Sequence, residues 1–297
     1  MATIKIVKKI ILGSAQFGEK YGIKNFKNKT SRKTSLEILK LARRLGIETV
    51  DLANSYKTYR EIFNYFNLSN WKISMKISIK KLEKNLTKEE FENFFFQTLN
   101  YLKKNKIEYF LFHDVNEMKK SKGRKVFNYL KDLKKRGYIK KIGVSLYSPN
   151  EFFEILKIFK IDVVQFPINI LDQRFCDDKI LKAIKKYKIE VHARSIFLQG
   201  LLLSKKNEIK KKYFKKNYYL NHWFNYLNLF KKNPLAECVN FVLKKKFVHK
   251  IVLGVNTVNH LKSILKVIDI KSNIEGLDMF KAHDKKLIDP RIWEKIK

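Results

Sequence analysis

Short apolar, β-branched runs alternate with amphipathic stretches along almost the whole chain, and this change of period is its main structural signal. The runs are KIILGS (9–14), ETVDLA (48–53), WKISMKIS (71–78), YFLFHD (109–114), KKIGVSLY (140–147), VVQFPIN (163–169), EVHARSIF (190–197) and KIVLGV (250–255). Between them, SLEILKLARRLG, EEFENFFFQTLNYLKK, VFNYLKDLKKRG, PNEFFEILKIF and NPLAECVNFVLKKK carry apolar residues at helical spacing. Gly46 and Gly137 mark helix stops, and Pro149 and Pro234 mark helix starts. Strands apolar on both faces belong in a parallel sheet that helices cover. Eight such units in about 250 residues predict an α/β protein, a (β/α)8 TIM barrel forming one domain over residues 1–297, with a doubly wound open sheet as the alternative.

Two segments depart from the repeat. Residues 203–232, LSKKNEIKKKYFKKNYYLNHWFNYLNLFKK, follow the seventh run. They read either as a solvated excursion with a surface helix or as a wall of a pocket at the barrel mouth. Residues 270–297 form a C-terminal tail expected to pack against the barrel.

Composition leaves this picture in place. Of 297 residues 45% are hydrophobic, with ten glycines and four prolines, so a large core is available. Cys176 and Cys238 stand far apart without a CxxC or Cys/His cluster, which argues against a disulfide framework or zinc site and for two reduced core thiols. No apolar run reaches the roughly 18 residues of a membrane span. The start, MATIKIVKKIILGSAQFG, has too short an apolar part for a signal peptide, so the cytoplasm is the expected compartment.

The formal charge of +37 raises the question of a nucleic-acid partner. The lysines are spread over nearly every predicted helix, as in LKDLKKRGYIKK and LKAIKKYK, among many Asn, Ile and Phe. That spread suits a compositional bias toward A/T-rich codons better than a binding stripe, and no nucleic-acid motif accompanies it. No specific nucleic-acid partner and no membrane partner is therefore expected, although the field attracts anionic ligands generally.

Candidate chemistry gathers at the strand ends, which in a barrel converge on one mouth. Asp51 ends the second run, Lys76 lies in the third, His113 closes the fourth and Tyr56 follows the second in its loop. Each alone has an ordinary reading: a helix-capping Asp, a packing Tyr, a salt-bridged Lys. Together they can do one job. A carbonyl that accepts hydride needs a proton on its oxygen. A phenol, with a pKa of about 10, is too weak an acid unless a cation favours its ionised form. Lys76 supplies that cation, Asp51 holds the lysine, and His113 orients the carbonyl or relays the proton.

The segments LGSAQFGEKYGIKN, VDLANSY, MKIS, LFHD, IGVSLYS, VVQFPINILDQR and SIFLQGLL, in that order over roughly residues 9–270, resemble the strand-end motifs of the aldo/keto reductases. Asp51, Tyr56, Lys76 and His113 fall where that family has its catalytic tetrad. The resemblance implies a (β/α)8 barrel that transfers hydride reversibly between NADPH or NADH and a small-molecule carbonyl, an aldehyde or ketone, without a metal. It implies cofactor contacts at Gly13 and Ser14 by the nicotinamide ribose, and at Ser145 and Gln165 on the carboxamide. Along the pyrophosphate it implies Ser195, with its neighbours Leu198 and Gly200. Around the adenosine ribose it implies Gly254, Val255, Asn256, Thr257 and His260.

Three positions depart from the family pattern. Leu146 stands where many members have Asn. Arg194 stands where an aromatic side chain stacks on the nicotinamide, a role a guanidinium plane also performs. Only His260 and Lys262 lie near the position of the family's basic pair for a 2′-phosphate, so NADPH, which the family favours, and NADH both stay open. Phe17, Tyr21, Tyr147, Phe197 and the 203–232 segment are the expected pocket walls, suited to a sugar, another polyol or an apolar aldehyde. Two further readings are a nucleotide-binding barrel without turnover and a nucleic-acid-binding protein.

Overall fold

The computed structural model describes residues 4–17, 30–56, 62–83, 86–209, 211–268 and 276–296. Parallel strands β1 (Ile10–Gly13), β2 (Thr49–Ala53), β3 (Lys72–Ile77), β4 (Ile107–Phe112), β5 (Ile139–Ser145), β6 (Val163–Pro167), β7 (Glu190–Arg194) and β8 (Lys250–Gly254) pair in sequence order. β8 pairs back onto β1, with Ile10 opposite Ile251 and Gly13 opposite Gly254, so the sheet is a closed barrel and not an open doubly wound sheet. Each apolar run coincides with one strand, although β4 and β5 begin at Ile107 and Ile139, just before their runs. Several runs overshoot the ladder at its C-terminal side because Leu146, Ile168 and Ile196, which lie in loops, are as buried as strand residues.

Capping chemistry places the helices. Ser31 Oγ accepts from Thr34 N at 3.1 Å to start Arg32–Arg44, and Thr87 with Glu90 forms a capping box at Lys88–Leu102. Ser148 and Glu151 do the same for Pro149–Ile158, with the proline at the first turn. Gly46 and Gly137 have φ of 88° and 87°, the left-handed conformation that closes a helix and that side chains with a Cβ avoid. The helices bury Ile38, Leu39, Val126, Leu130, Ile155 and Ile184 against the outer face of the sheet.

The barrel interior differs from that outer layer. A small apolar cluster of Tyr109, Leu111 and Val163 is separate from the main core. Beneath it, Glu190 takes a hydrogen bond at 2.9 Å from His192 Nε2 and pairs with Lys141. Side chains two apart on a strand share a face, so the same strands that carry these groups carry Ser145, Gln165 and Arg194 toward the mouth.

The 203–232 segment and the tail form one layer. Helix Tyr218–Leu229 buries Trp223 completely, its Nε1 donating to Leu202 O at 3.1 Å and Phe280 packing on the ring. Lys211 Nζ donates to Trp293 O at 2.6 Å and Ile296 O at 2.7 Å, and Tyr213 Oη donates to Asp284. The tail docks on the barrel through Ala282 N to Leu171 O at 2.8 Å and Gln173 Nε2 to Leu277 O at 3.2 Å. Among the described residues no helix is long and apolar enough to cross a membrane, and no group of three or more His, Cys, Asp and Glu could hold a metal ion.

Candidate active site

Strand register builds the centre of the site. Gly13 on β1, Asp51 on β2 and Ser74 on β3 lie side by side, and Lys76 follows two residues on, on the same face as Ser74. Asp51 Oδ2 pairs with Lys76 Nζ, and both side chains are at most 5% exposed. Asp51 Oδ1 accepts from Ser74 Oγ at 2.8 Å and from Gln165 Nε2, across the barrel, at 3.3 Å. Asp51 O accepts from Ser14 Oγ at 2.7 Å and Ser14 N at 3.2 Å. A buried ion pair persists only when its remaining hydrogen-bonding sites are filled, and here three side chains converge on one carboxylate.

The loop after β2 is pinned from both ends. Asn54 Oδ1 accepts from Ser78 N at 2.8 Å and Asn54 Nδ2 donates to Ser78 O at 3.2 Å, tying it to the end of β3. Tyr56 N donates to Ala53 O at 3.1 Å, a tight turn that returns the phenol toward the barrel. The Lys76 ammonium lies 5.4 Å from the centre of the Tyr56 ring. His113 follows β4, its N donating to Ile77 O at 2.9 Å, and its ring stands edge-on to Tyr56 with centres 6.1 Å apart. Ser55 Oγ and His113 Nδ1 share a hydrogen bond of 3.0 Å. Burial, and after it the charge of Lys76, pulls the His113 pKa down to about 4, so the imidazole is neutral at neutral pH.

A cleft of about 430 Å³ opens beside this group. Asp51, Tyr56, Lys76, Gln165 and Arg194 line its inner end with Gly13. Ser195, Phe197 and Gly200 follow along one wall, while Gly254, the neighbour of Gly13 on β8, leads on to Asn256 and His260, which line the far end with Pro234 and Ile264. The remaining expected residues are not part of this lining, and of them Thr257 is exposed. Ser14, Ser145, Leu198 and Val255 are buried, Ser14 being spent on Asp51 O and Thr257 Oγ1 on His260 N at 3.1 Å. His113 is not among the lining residues, its ring standing against Tyr56 and its Nδ1 on Ser55. Of the 203–232 segment, Leu203 alone among the described residues lines the cleft, because the helical part is occupied by the tail. Tyr21 lies outside the described residues.

The cleft wall has features the sequence did not announce. Gln16 lies so close over Gly254 that a Cβ there would meet its carboxamide. Gln16 Oε1 and Asn256 Oδ1 are buried without a hydrogen-bond partner among the described residues. Ser195, Leu198 and Gln199 take φ of 55°, 46° and 53°, left-handed values that cost non-glycine residues roughly 1–3 kcal/mol each, and they cluster in this one loop. Tyr147 does not face the cleft as an open wall. It is sandwiched between Arg194 and Arg291, each guanidinium carbon 3.9 Å from its ring centre. Arg291 comes from the tail, so no local sequence signal pointed to it. Ser74 was findable, since a serine two residues before an inward-facing lysine shares its face.

A model of the aldo/keto reductase family matches residues 9–285. Solved structures agree on the fold: an aldo-keto reductase from Bacillus halodurans in its holo form superposes with a TM-score of 0.69 at 16% identity, covering 92% of this chain and 90% of that one. A glycerol dehydrogenase from Gluconobacter oxydans superposes with a TM-score of 0.67 at 17% identity, covering 95% and 92%. A search of curated proteins finds no match to the sequence. A closed eight-stranded barrel, the Asp51, Tyr56, Lys76 and His113 group at its mouth, and a family match across most of its length lead to one assignment: the chain belongs to the aldo/keto reductase family.

Proposed function

We propose that the protein is an NADPH- or NADH-dependent oxidoreductase that interconverts a small aldehyde or ketone and its alcohol, with Tyr56 as the proton donor. The carrying observation is the buried Asp51–Lys76 pair with the Tyr56 ring 5.4 Å from the ammonium, inside the cleft. A positive charge held there favours the phenolate, and so lets the phenol release its proton to an alkoxide forming beside it. Asp51, fixed by Ser74 and Gln165, keeps that charge in place. His113, neutral and tethered to Ser55, can hold a carbonyl oxygen by a hydrogen bond without competing as a cation.

The residues fit a nicotinamide nucleotide. The cleft extends from Lys76 to His260, and two wall carboxamides, Gln16 and Asn256, carry oxygens that a polar guest would satisfy. Gly13, Gln165 and Arg194 would hold the nicotinamide end, Ser195 and Gly200 the phosphates, and Gly254, Asn256 and His260 the adenosine end. Bound there, the nucleotide supplies the hydride. The chain's own contribution is position and the proton.

A screen of aldehydes, ketones and sugars, with nucleotide-linked keto sugars included, read by NADPH and NADH absorbance, tests the proposal. Turnover of at least one class is expected. Absence of turnover across the panel, with no quenching of tryptophan fluorescence by either nucleotide, would refute it.

A further inference from the structure

Three guanidiniums surround the mouth of the barrel near Tyr147, and only two have a carboxylate. Arg174 makes two hydrogen bonds of 2.8 Å to Asp172, and Arg291 is held by Asp289 through Nε at 2.9 Å and Nη2 at 2.6 Å. Arg194 has no carboxylate partner among the described residues. Its Nη2 donates to Leu146 O at 2.9 Å and its Nη1 reaches Ser195 Oγ at a long 3.4 Å. One face of its guanidinium is covered by Tyr147, whose other face is held by Arg291. The group is thus fixed in orientation and half-buried, and its Nε–H and the second hydrogen of each Nη have no partner among the described residues.

Asp172 attracts Arg194 through space, but that carboxylate is already bonded twice to Arg174 and makes no hydrogen bond to Arg194. Lys76 is matched by Asp51, and His113 is uncharged at neutral pH, which leaves Arg194 as the cation of the cleft lining near Tyr56 without a carboxylate of its own among the described residues. A partly desolvated charge without a partner is costly, and a ligand that brings the opposite charge relieves that cost. Arg194 ends β7 opposite Pro167 on β6, two residues along from His192 on the inward face, so it stands over the barrel mouth beside Gln165 and Tyr56. The adenosine end of the cleft, at Asn256 and His260, lies beyond β8.

Resting on the oxidoreductase reading, we infer that the substrate is an anionic carbonyl compound, one whose carboxylate or phosphate is gripped by the edge of Arg194 while its carbonyl faces Tyr56. The face of the same guanidinium remains available to a nicotinamide ring, since a guanidinium stacks through its plane and donates through its rim. Arg291 and Tyr147 act as positioning residues for it.

Matched substrate pairs test this: 4-carboxybenzaldehyde against 4-nitrobenzaldehyde, and glyceraldehyde 3-phosphate against glyceraldehyde. Charge-assisted hydrogen bonds of this kind correspond to about a tenfold to hundredfold advantage in kcat/KM for the charged member of at least one pair. The pair with the larger ratio tells carboxylate from phosphate. In Arg194→Gln that ratio falls to about one, and Arg194→Lys keeps part of it. The ratio is the readout because it cancels any effect of the substitution on nucleotide binding, and the wild-type ratios require no variant. Wild-type ratios near or below one in both pairs, with the neutral members still turned over, would overturn this inference and leave the oxidoreductase reading intact. A preserved ratio in Arg194→Gln, with weakened quenching by NADPH or NADH, would instead assign the charge to the nucleotide's phosphates and equally overturn it. No turnover of any member and no nucleotide binding would sink both.

Discussion

Replacing Lys76 with Met keeps the length of the side chain and removes its charge, leaving the Asp51 carboxylate 2% exposed and without its cation. Breaking one side of a buried ion pair costs roughly 3–5 kcal/mol. Asp51 retains hydrogen bonds from Ser74 at 2.8 Å and Gln165 at 3.3 Å, which places the expected loss near the lower end, about 3 kcal/mol. For a chain of this size that corresponds to a fall in Tm of roughly 5 °C. The double variant Lys76→Met/Asp51→Asn removes both charges, and at least half of the lost stability should return while carbonyl turnover stays abolished. Urea or thermal unfolding of the three proteins, with NAD(P)H absorbance assays alongside, makes the comparison. A single variant within about 1 kcal/mol of wild type, or a double variant no more stable than the single, would refute the argument that the pair is a mutually dependent buried unit.

Other outcomes follow from the same geometry. Asn54→Ala removes both hydrogen bonds that tie the Tyr56 loop to Ser78, so kcat should fall by about an order of magnitude with a stability loss of about 1–2 kcal/mol, and an unchanged kcat would show that the loop is fixed elsewhere. Gly254→Ala puts a Cβ against the Gln16 carboxamide and should weaken nucleotide binding severalfold by fluorescence titration, whereas unchanged affinity would mean Gln16 is not a wall of the nucleotide site. Because His113 has a pKa of about 4, the kcat profile should be free of a histidine step between about pH 5 and 8, and a step that Asn at position 113 removes would contradict its neutral state. Glu190 is buried, which alone would raise its pKa, but hydrogen bonds from His192 and Lys141 outweigh burial and hold it well below the usual carboxylate range. Its contribution to stability is therefore present above the unfolded value of about 4.3 and fades as pH falls toward the folded one. The stability gap between wild type and Glu190→Gln should narrow on acidification, and a gap that widens would reverse that assignment.

The barrel was legible because strands buried on both faces read as continuous apolar runs, and eight of them alternate with amphipathic stretches. The Asp51, Tyr56, Lys76 and His113 group was legible because each member sits at a strand end or in the loop that follows it. Strand ends were less so: residues such as Leu146 and Ile196 are buried although they lie in loops, and apolar character alone cannot tell a ladder from a packed turn. What the sequence could not convey were contacts between distant segments. Arg291 on Tyr147, Lys211 on Trp293 and Tyr213 on Asp284 join positions 71 to 144 residues apart, and no period links them. The excursion at 203–232 looked free to cover the pocket for that reason, while Tyr213, Phe214, Trp223 and Tyr226 are spent on the tail.

The most direct test of the central claim, that Tyr56 gives the proton under the charge of Lys76, is kcat for carbonyl reduction by Tyr56→Phe with nucleotide affinity measured on the same preparation. A loss of at least about a hundredfold in kcat with nearly unaltered nucleotide binding is expected, since the ring and the cleft remain and only the hydroxyl is gone. A variant that reduces carbonyls at close to the wild-type rate would contradict it.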